Sequence, residues 1–418
     1  MNRYGYMFAL IIAGEAIFAL PFHVTRFFRP TVLEVFALTP TELGAAQAAY
    51  GVLAMLAYFP GGAIADRFPA HKLLAFSLWS TAAGGLYMAT FPNYQGSLFL
   101  WSFFGISTIL LFWAAMIRAT REWGGITSQG KAFGLLDGGR GLLAAALASV
   151  GVLLFSMAFP DGTADASLED KKAVLRTIIY GYTAVTAAAG VLVWFVIRGE
   201  QVTDAHNKLN ESGSNIARNV LFAIKLPAVW LQALIVVCAY VGYKGFDNYS
   251  LFAVQAYGLD EIEAARIVTI GSWMRPVAAI AAGLIGDRFG SSKTLLVLFA
   301  LLLGSDLFFA LSTPVPGAAW AMLTNTVLTC IAIFGFRGLY FTLFEEAKIP
   351  MAVTGTAVGI VSVIGYMPDI FVTLVAGILI DRSPGLEGHQ QFFMFLSAFA
   401  LAGLLASFAF SRLSHRQK

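Results

Sequence analysis

Ten ionisable residues stand inside long apolar runs: Glu15, Arg26, Asp137, Arg140, Lys244, Asp247, Arg275, Asp306, Arg337 and Asp369. Charges in such surroundings are costly and are kept facing a partner or a cavity. Carboxylates there can carry protons or neutralise cations, and cations there can hold an anion. The spacing of the first two is suggestive. Glu15 and Arg26 are eleven residues apart, which on a regular helix returns to within about 20° of the same face, with Pro21 between them. His23 and Arg26 are neighbours three residues apart. Arg26 reads either as an outer headgroup residue, since Arg29 and Pro30 follow, or as an anion-binding residue. Arg275 in "SWMRPVAA" and Asp369 in "GYMPDIF" each fall near mid-run and could pair, as a structural ion pair or as a substrate anchor neutralised when empty. Glu15 and Asp369 are the candidate proton carriers. Tyr243, Tyr249 and Tyr366 lie close enough in sequence to charged positions to line a cavity.

The runs that must position these residues define the class. The 418 residues are 58% hydrophobic and only 12% charged, with a mean hydropathy of +0.74, whereas soluble chains carry about 25% charged residues. A bilayer core needs roughly 20 apolar residues per helical span, and the sequence supplies about twelve runs of that length: 4–27, 42–64, 72–91, 96–118, 131–158, 174–197, 226–253, 261–283, 293–312, 317–338, 352–380 and 390–411. Transmembrane strands would be about half as long and would alternate in polarity. The expectation is an all-α integral membrane protein. Most of the 27 Lys and Arg residues fall on one side when the N-terminus is placed inside, which predicts cytoplasmic termini. The first apolar run is too long for a cleavable signal and is expected to stay as the first helix. Cys238 and Cys330 sit within spans without metal-site spacing and read as small core residues.

The longest polar stretch, 198–224, divides the chain into halves of six spans each, 1–197 and 225–418. The halves echo each other. "GGAIADRFPAHKLL" at 61–74 returns as "AGLIGDRFGSSKTLL" at 282–296, and "QGKAFGLLDGGRG" at 129–141 aligns with "TGTAVGIVSVIGY" at 354–366. Gly62 and Gly283 would allow close helix approach, and Asp66, Arg67, Asp287 and Arg288 would sit past the membrane edge, where such pairs can open and close as the halves rock. Asp306, in the ninth span, reads as structural, and Arg337 reads as the inner end of the tenth. The 161–176 loop suggests a short surface helix and no function.

The repeated loop resembles the signature of the major facilitator superfamily, G-x-x-x-D-R-x-G-R-R/K: Gly62, Asp66 and Arg67 match in the first copy, and Gly283, Asp287, Arg288 and Gly290 in the second. Pro69 and Ser291 depart from it. The resemblance spans the chain and implies twelve helices in two pseudo-symmetric bundles around a central site exposed alternately to each side. It also implies a gating role for the loop residues, for Arg118 and Arg121 at the end of the fourth helix, and for Asp137 and Arg140 as an intrahelical pair or a gate with those arginines. More narrowly, "HVTRFFRPTVLEVFALTPTELGAA" is similar to the first helix of organophosphate:phosphate antiporters and sugar-phosphate and sulfosugar permeases, with Arg26 on their arginine. "YVGYKGFDNYS" resembles their seventh helix, with Lys244 standing in place of a second arginine. A lysine lacks the bidentate fork suited to phosphate.

Arg26, Lys244, Arg275, Tyr243 and Tyr366 are therefore the expected substrate residues. A P-loop, HExxH and G-x-S-x-G are all missing from the sequence, so ATP-driven and hydrolytic chemistry lack support. The leading expectation is a secondary transporter of a small organic anion, acting as a monomer in a bacterial inner membrane, with protons as a second partner if the cycle is proton-driven. No enzyme activity, cofactor, metal or nucleic acid is expected. A proton-coupled carrier of a neutral solute and a receptor built on a transporter fold are the alternatives.

Overall fold

The structure is a computed structural model that describes residues 3–125, 129–197, 221–315, 317–340, 342–349 and 351–416. Most of the expected 198–224 linker lies outside the described residues. Twelve long helices follow in order: α1 Arg3–Phe27, α2 Pro40–Arg67, α3 Ala70–Met88, α4 Tyr94–Gly124, α5 Gln129–Ala158 and α6 Leu168–Val196, then α7 Pro227–Tyr257, α8 Glu261–Phe289, α9 Ser291–Leu311, α10 Ala319–Leu339, α11 Ala357–Arg382 and α12 Leu386–Arg416. Eleven are long and apolar enough to cross a membrane. The twelfth, α3, is 19 residues long, opens on His71 and Lys72, and is diluted by Ser77, Ser80 and Thr81. It packs against α4 and α6 as part of the same bundle. Large apolar side chains such as Phe59, Phe99, Met157, Phe195, Val277, Ile280 and Val297 point outward around the molecule, as lipid contact requires.

Helices α1 to α6 form one bundle and α7 to α12 the other. They meet chiefly where α2 packs on α11 and α5 on α8. The first of these crossings depends on missing side chains. A Cβ on Gly44 would lie 2.4 Å from the carbonyl oxygen of Thr373, and one on Gly377 would lie 2.3 Å from that of Pro40. Close backbone approach of this kind is what small residues permit between membrane helices.

The expected close contacts at Gly62 and Gly283 are not present: a Cβ on either would meet nothing within 4 Å. Gly62 borders an open cavity, and the tight position beside it is Gly61, whose Cβ would come 2.9 Å from the Leu110 carbonyl. The two signature loops also turn differently. Gly290 takes φ +97° before α9, whereas the first loop passes through extended Phe68 and Pro69, with φ −118° and −60°, into α3. Asp66, Arg67, Asp287 and Arg288 are exposed beside these loops.

The two halves also share a broken first helix. In α1 the chain makes a π turn over Ala19–His23, around Pro21. Proline cannot donate to the preceding turn and its ring crowds the carbonyl four residues back, so one extra residue is accommodated. The Pro21 carbonyl is taken by the indole N–H of Trp101 at 3.2 Å. In α7 the break is a tighter turn at Phe246–Asn248. Both breaks lie at the interface between the bundles, where they aim polar side chains inward.

Candidate functional site

A cavity of about 1020 Å³ opens at the end of the molecule carrying Asp66, Arg118 and Arg121 and reaches inward to Glu15, Arg26, Lys244 and Asp369. Two charge clusters stand at its depth, with Asp137 and Asp247 behind the residues that line it. In the first, the Glu15 carboxylate receives the His23 ring nitrogen Nε2 at 3.1 Å, Arg140 Nε at 3.1 Å and Arg275 Nη1 at 3.5 Å. Arg275 Nη2 and Arg337 Nη2 both donate to Asp137 Oδ1, at 2.9 and 3.1 Å. In the second, Asp247 holds Arg26 Nε at 2.5 Å and Lys244 Nζ at 2.8 Å. Lys244 also lies 3.3 Å from Asp369, which accepts the Tyr240 hydroxyl at 3.1 Å. The Tyr243 ring joins the clusters, with the Arg26 guanidinium 4.8 Å and that of Arg337 5.3 Å from its centroid. Tyr240 packs on both Tyr243 and Tyr366.

Several sequence expectations change here. Arg26 is buried between the bundles, so the headgroup placement is replaced by a pair with Asp247. Glu15 and Arg26 do not pair, because the π turn adds a residue between them and breaks the eleven-residue return to one face. For the same reason His23 turns to Glu15. Arg275 does not pair with Asp369: it bonds Glu15 and Asp137 across the bundles, while Lys244 and Tyr240 hold Asp369. Asp137 and Arg140 stay within electrostatic range of each other on α5, but their ion pairs are made elsewhere. Asp137 reaches the second bundle and Arg140 reaches Glu15. Arg118 instead clasps the carbonyls of Ala65 and Phe68 in the first signature loop, and Glu122 lies 3.5 Å from its Nε. Arg337, expected only to mark a helix end, lines the cavity. Tyr249 stays outside it, buried against Phe309 and Phe393. Cys238 and Cys330 are free and buried. Asp306 is buried, and neither of its carboxylate oxygens has a partner among the described residues.

Sequence reasoning left Asp247 and Tyr240 out of the site. Tyr240 stands one helical turn before Lys244 in "AYVGYK", a spacing that puts both on one face.

The opposite end is shut. Lys171 bridges Glu34 of the first bundle and Glu261 of the second, both at 2.7 Å, and Thr31 donates to the same Glu261. Beside them Asp260 accepts the Thr163 backbone N–H and hydroxyl, each at 2.7 Å. Burial alone would raise the Asp260 carboxyl, but these hydrogen bonds and one from the Ile262 N–H outweigh it and hold it below its ordinary 3.8. A lowered carboxyl favours the bonded state above that ordinary value, and the contribution fades as pH falls below it. The 161–176 segment thus carries two latch residues rather than an idle surface helix. Lys171→Gln removes both ion pairs, and at about 1 kcal/mol for each part-exposed pair the ratio of open to closed forms at this end should rise about tenfold or more. Impermeant maleimide labelling of a Val32→Cys reporter, buried in the structure, should accelerate accordingly. An unchanged labelling rate would deny the latch its role.

A two-bundle helical membrane protein with a charged cavity open at one end is a transporter architecture, and the chain belongs to the Major Facilitator Superfamily, whose family model matches residues 5–373. It is a transporter and not an enzyme. Its relatives include the inner membrane protein YihN of Escherichia coli K12, 25% identical over 98% of this chain and 96% of that one. The inner membrane protein YqcE of the same organism is 28% identical over 88% and 85%. Among solved structures, a bacterial homolog of the human lysosomal transporter Spinster, inward-facing and unoccupied, superposes with a TM-score of 0.75 at 15% identity, covering 100% of this chain and 98% of its own. A D-xylose-proton symporter gives 0.73 at 14% identity, with 98% and 97% covered.

Proposed function

We propose that the protein moves a small organic anion across the membrane by alternating access, with the cavity as its binding site. One observation carries this reading. Five cations (Arg26, Arg140, Lys244, Arg275 and Arg337) meet four carboxylates (Glu15, Asp137, Asp247 and Asp369) in the clusters at the depth of the cavity, leaving an excess of one positive charge. In a low-dielectric interior such an excess favours an anionic occupant. Tyr243 and Tyr366 give the walls apolar faces with hydroxyl edges, suited to the organic part of the solute.

The excess of Lys and Arg at the Asp66 end supports a cytoplasmic placement of that end, with both termini and the 198–224 linker inside. The cavity is then inward-facing, and Lys171 with Glu34 and Glu261 closes the outer side. Asp66, Arg67, Asp287, Arg288, Arg118 and Arg121 belong in this reading to the inner gate, which stands open. Where protons drive transport, Asp369 is the coupling residue, because it borders the cavity and touches the substrate cation Lys244.

Thermal unfolding of the purified protein with glycerol 3-phosphate, propane-1-sulfonate, glycerate and neutral glycerol tests the charge requirement, followed by flux into proteoliposomes for any hit. Anions should stabilise and glycerol should not. Stabilisation by the neutral solute alone would transfer the assignment to neutral-solute transport, and binding without flux would make the protein a receptor. In the same liposomes Asp369→Asn should retain substrate exchange and lose accumulation driven by a pH gradient; wild-type flux indifferent to that gradient would return Asp369 to a counter-ion.

A further inference from the structure

Arg29 is fully buried at the closed end of the interface, one turn beyond Arg26. Its guanidinium is poorly provided for. Nη1 reaches the Gln47 side-chain oxygen at 3.4 Å, while Nε and Nη2 have no hydrogen-bond partner among the described residues. Gln47 is itself turned toward the Thr25 hydroxyl. Asp247 lies within electrostatic range, but it is already engaged by Arg26 and Lys244. His389, on the facing bundle, is also within range, and its ring binds Gln255 through Nε2 and leaves Nδ1 without a partner. The amide of Asn248, buried in the α7 break, is also unsatisfied.

A dry cation with two idle donors is costly to hold, and its setting tells what would relieve it. Arg29 opens the short helix Arg29–Val35, whose Thr31 and Glu34 belong to the latch. An opening of that end would part this helix from the second bundle and bare the guanidinium to the pathway. We propose that Arg29 is a second anion-binding residue, which takes the oxyanion group of the substrate when the closed end opens and passes it on to Arg26. This rests on the organic-anion reading above and adds an order of events to it. The planar fork of an arginine suits a phosphate, sulfonate or carboxylate group, which could belong to the organic solute or to free inorganic phosphate; the assignment is to the solute.

The test compares the two faces of the membrane. Right-side-out and inside-out vesicles containing the full chain are supplied with radiolabelled glycerol 3-phosphate, propane-1-sulfonate or glycerate, with inorganic phosphate as competitor. Orientation is fixed by impermeant thiol labelling of Asp161→Cys, an exposed position at the Arg29 end; the two native cysteines are buried. Arg29→Gln should raise the half-saturating concentration about tenfold or more when solute arrives at the Arg29 end, and change it less than about twofold from the Asp66 end, in keeping with the loss of one charge-assisted contact. An equal rise from both faces, or none from either, overturns the proposal while wild-type flux keeps the anion reading intact. No wild-type flux of any of the three solutes removes both. If the variant instead loses only competition by inorganic phosphate at the Arg29 end, free phosphate is the occupant and the assignment to the solute falls. Should Arg29→Gln fail to fold, Arg29→Lys should show a smaller rise confined to the same face, and a rise shared by both faces overturns the proposal.

Discussion

Arg26→Gln is expected to weaken binding of the anionic solute about 100-fold or more and to leave the protein folded. The loss follows from removing a desolvated, hydrogen-bonding cation from a binding site, which costs about 2–5 kcal/mol, or roughly 30-fold to several thousand-fold in affinity. Folding survives because Asp247 keeps Lys244 at 2.8 Å as its counter-ion, so no carboxylate is stranded. Titration of a solute found in the anion screen, on protein whose elution profile and melting temperature match the wild type, gives the answer. Undiminished affinity would eliminate the anion hypothesis and favour the neutral-solute reading. Arg26→Lys should restore only part of the binding, since a point charge on a flexible stem cannot reproduce a planar fork.

Glu15→Gln should act mainly on stability. Glu15 is the carboxylate bound to Arg140, and it shares Arg275 with Asp137. Its loss leaves the five cations of the clusters, four of them buried, against three carboxylates. Stranding a buried charge costs about 3–5 kcal/mol, which for a protein of this size corresponds to a fall of roughly 3–6 °C in melting temperature. The same excess charge should make the variant more responsive than the wild type to stabilisation by millimolar sulfate. Glutamine still accepts a hydrogen bond from His23, so shape and local bonding are nearly conserved and the effect isolates the charge. A melting temperature equal to that of the wild type would show that the cations do not depend on Glu15.

The class of the protein was legible in its sequence because length and hydropathy of the apolar runs are local properties, and because the Asp66 and Asp287 loops repeat in type and position. The charged residues of the cavity were legible for the same reason: each stands out against its own apolar neighbours. Their pairing was not. Arg26 finds Asp247 and Arg275 finds Glu15 across the boundary between bundles, and no spacing along the chain encodes which helix faces which. The Glu15–Arg26 expectation failed for a more local cause, since helical phase was counted at 3.6 residues per turn through a stretch where Pro21 forces a wider turn. Gly62 teaches a third lesson. The close helix approach in that stretch falls one residue earlier, at Gly61 against the Leu110 carbonyl, and Gly62 faces the cavity instead. The latch residues Lys171, Glu34 and Glu261 were overlooked because a charged loop between helices looks like ordinary solvated surface until its partner from the other half is seen.

The difference in burial between the latch and the cavity makes them respond unequally to ionic strength. The Glu34 side chain is 45% exposed, whereas those of Arg26 and Asp247 are 7% and 1% exposed. Mobile ions screen charges over a Debye length of about 8 Å at 0.15 M salt and about 3 Å at 1 M, and they do so where water reaches. Raising the salinity on the Lys171 side therefore loosens the Lys171–Glu34 pair of the closure more than the Arg26–Asp247 pair, while the Lys171–Glu261 pair, 9% and 11% exposed, is screened less than its neighbour. On the proposed orientation, the outer medium would then set how readily that end opens, while the Arg26–Asp247 pair deep between the bundles is screened less.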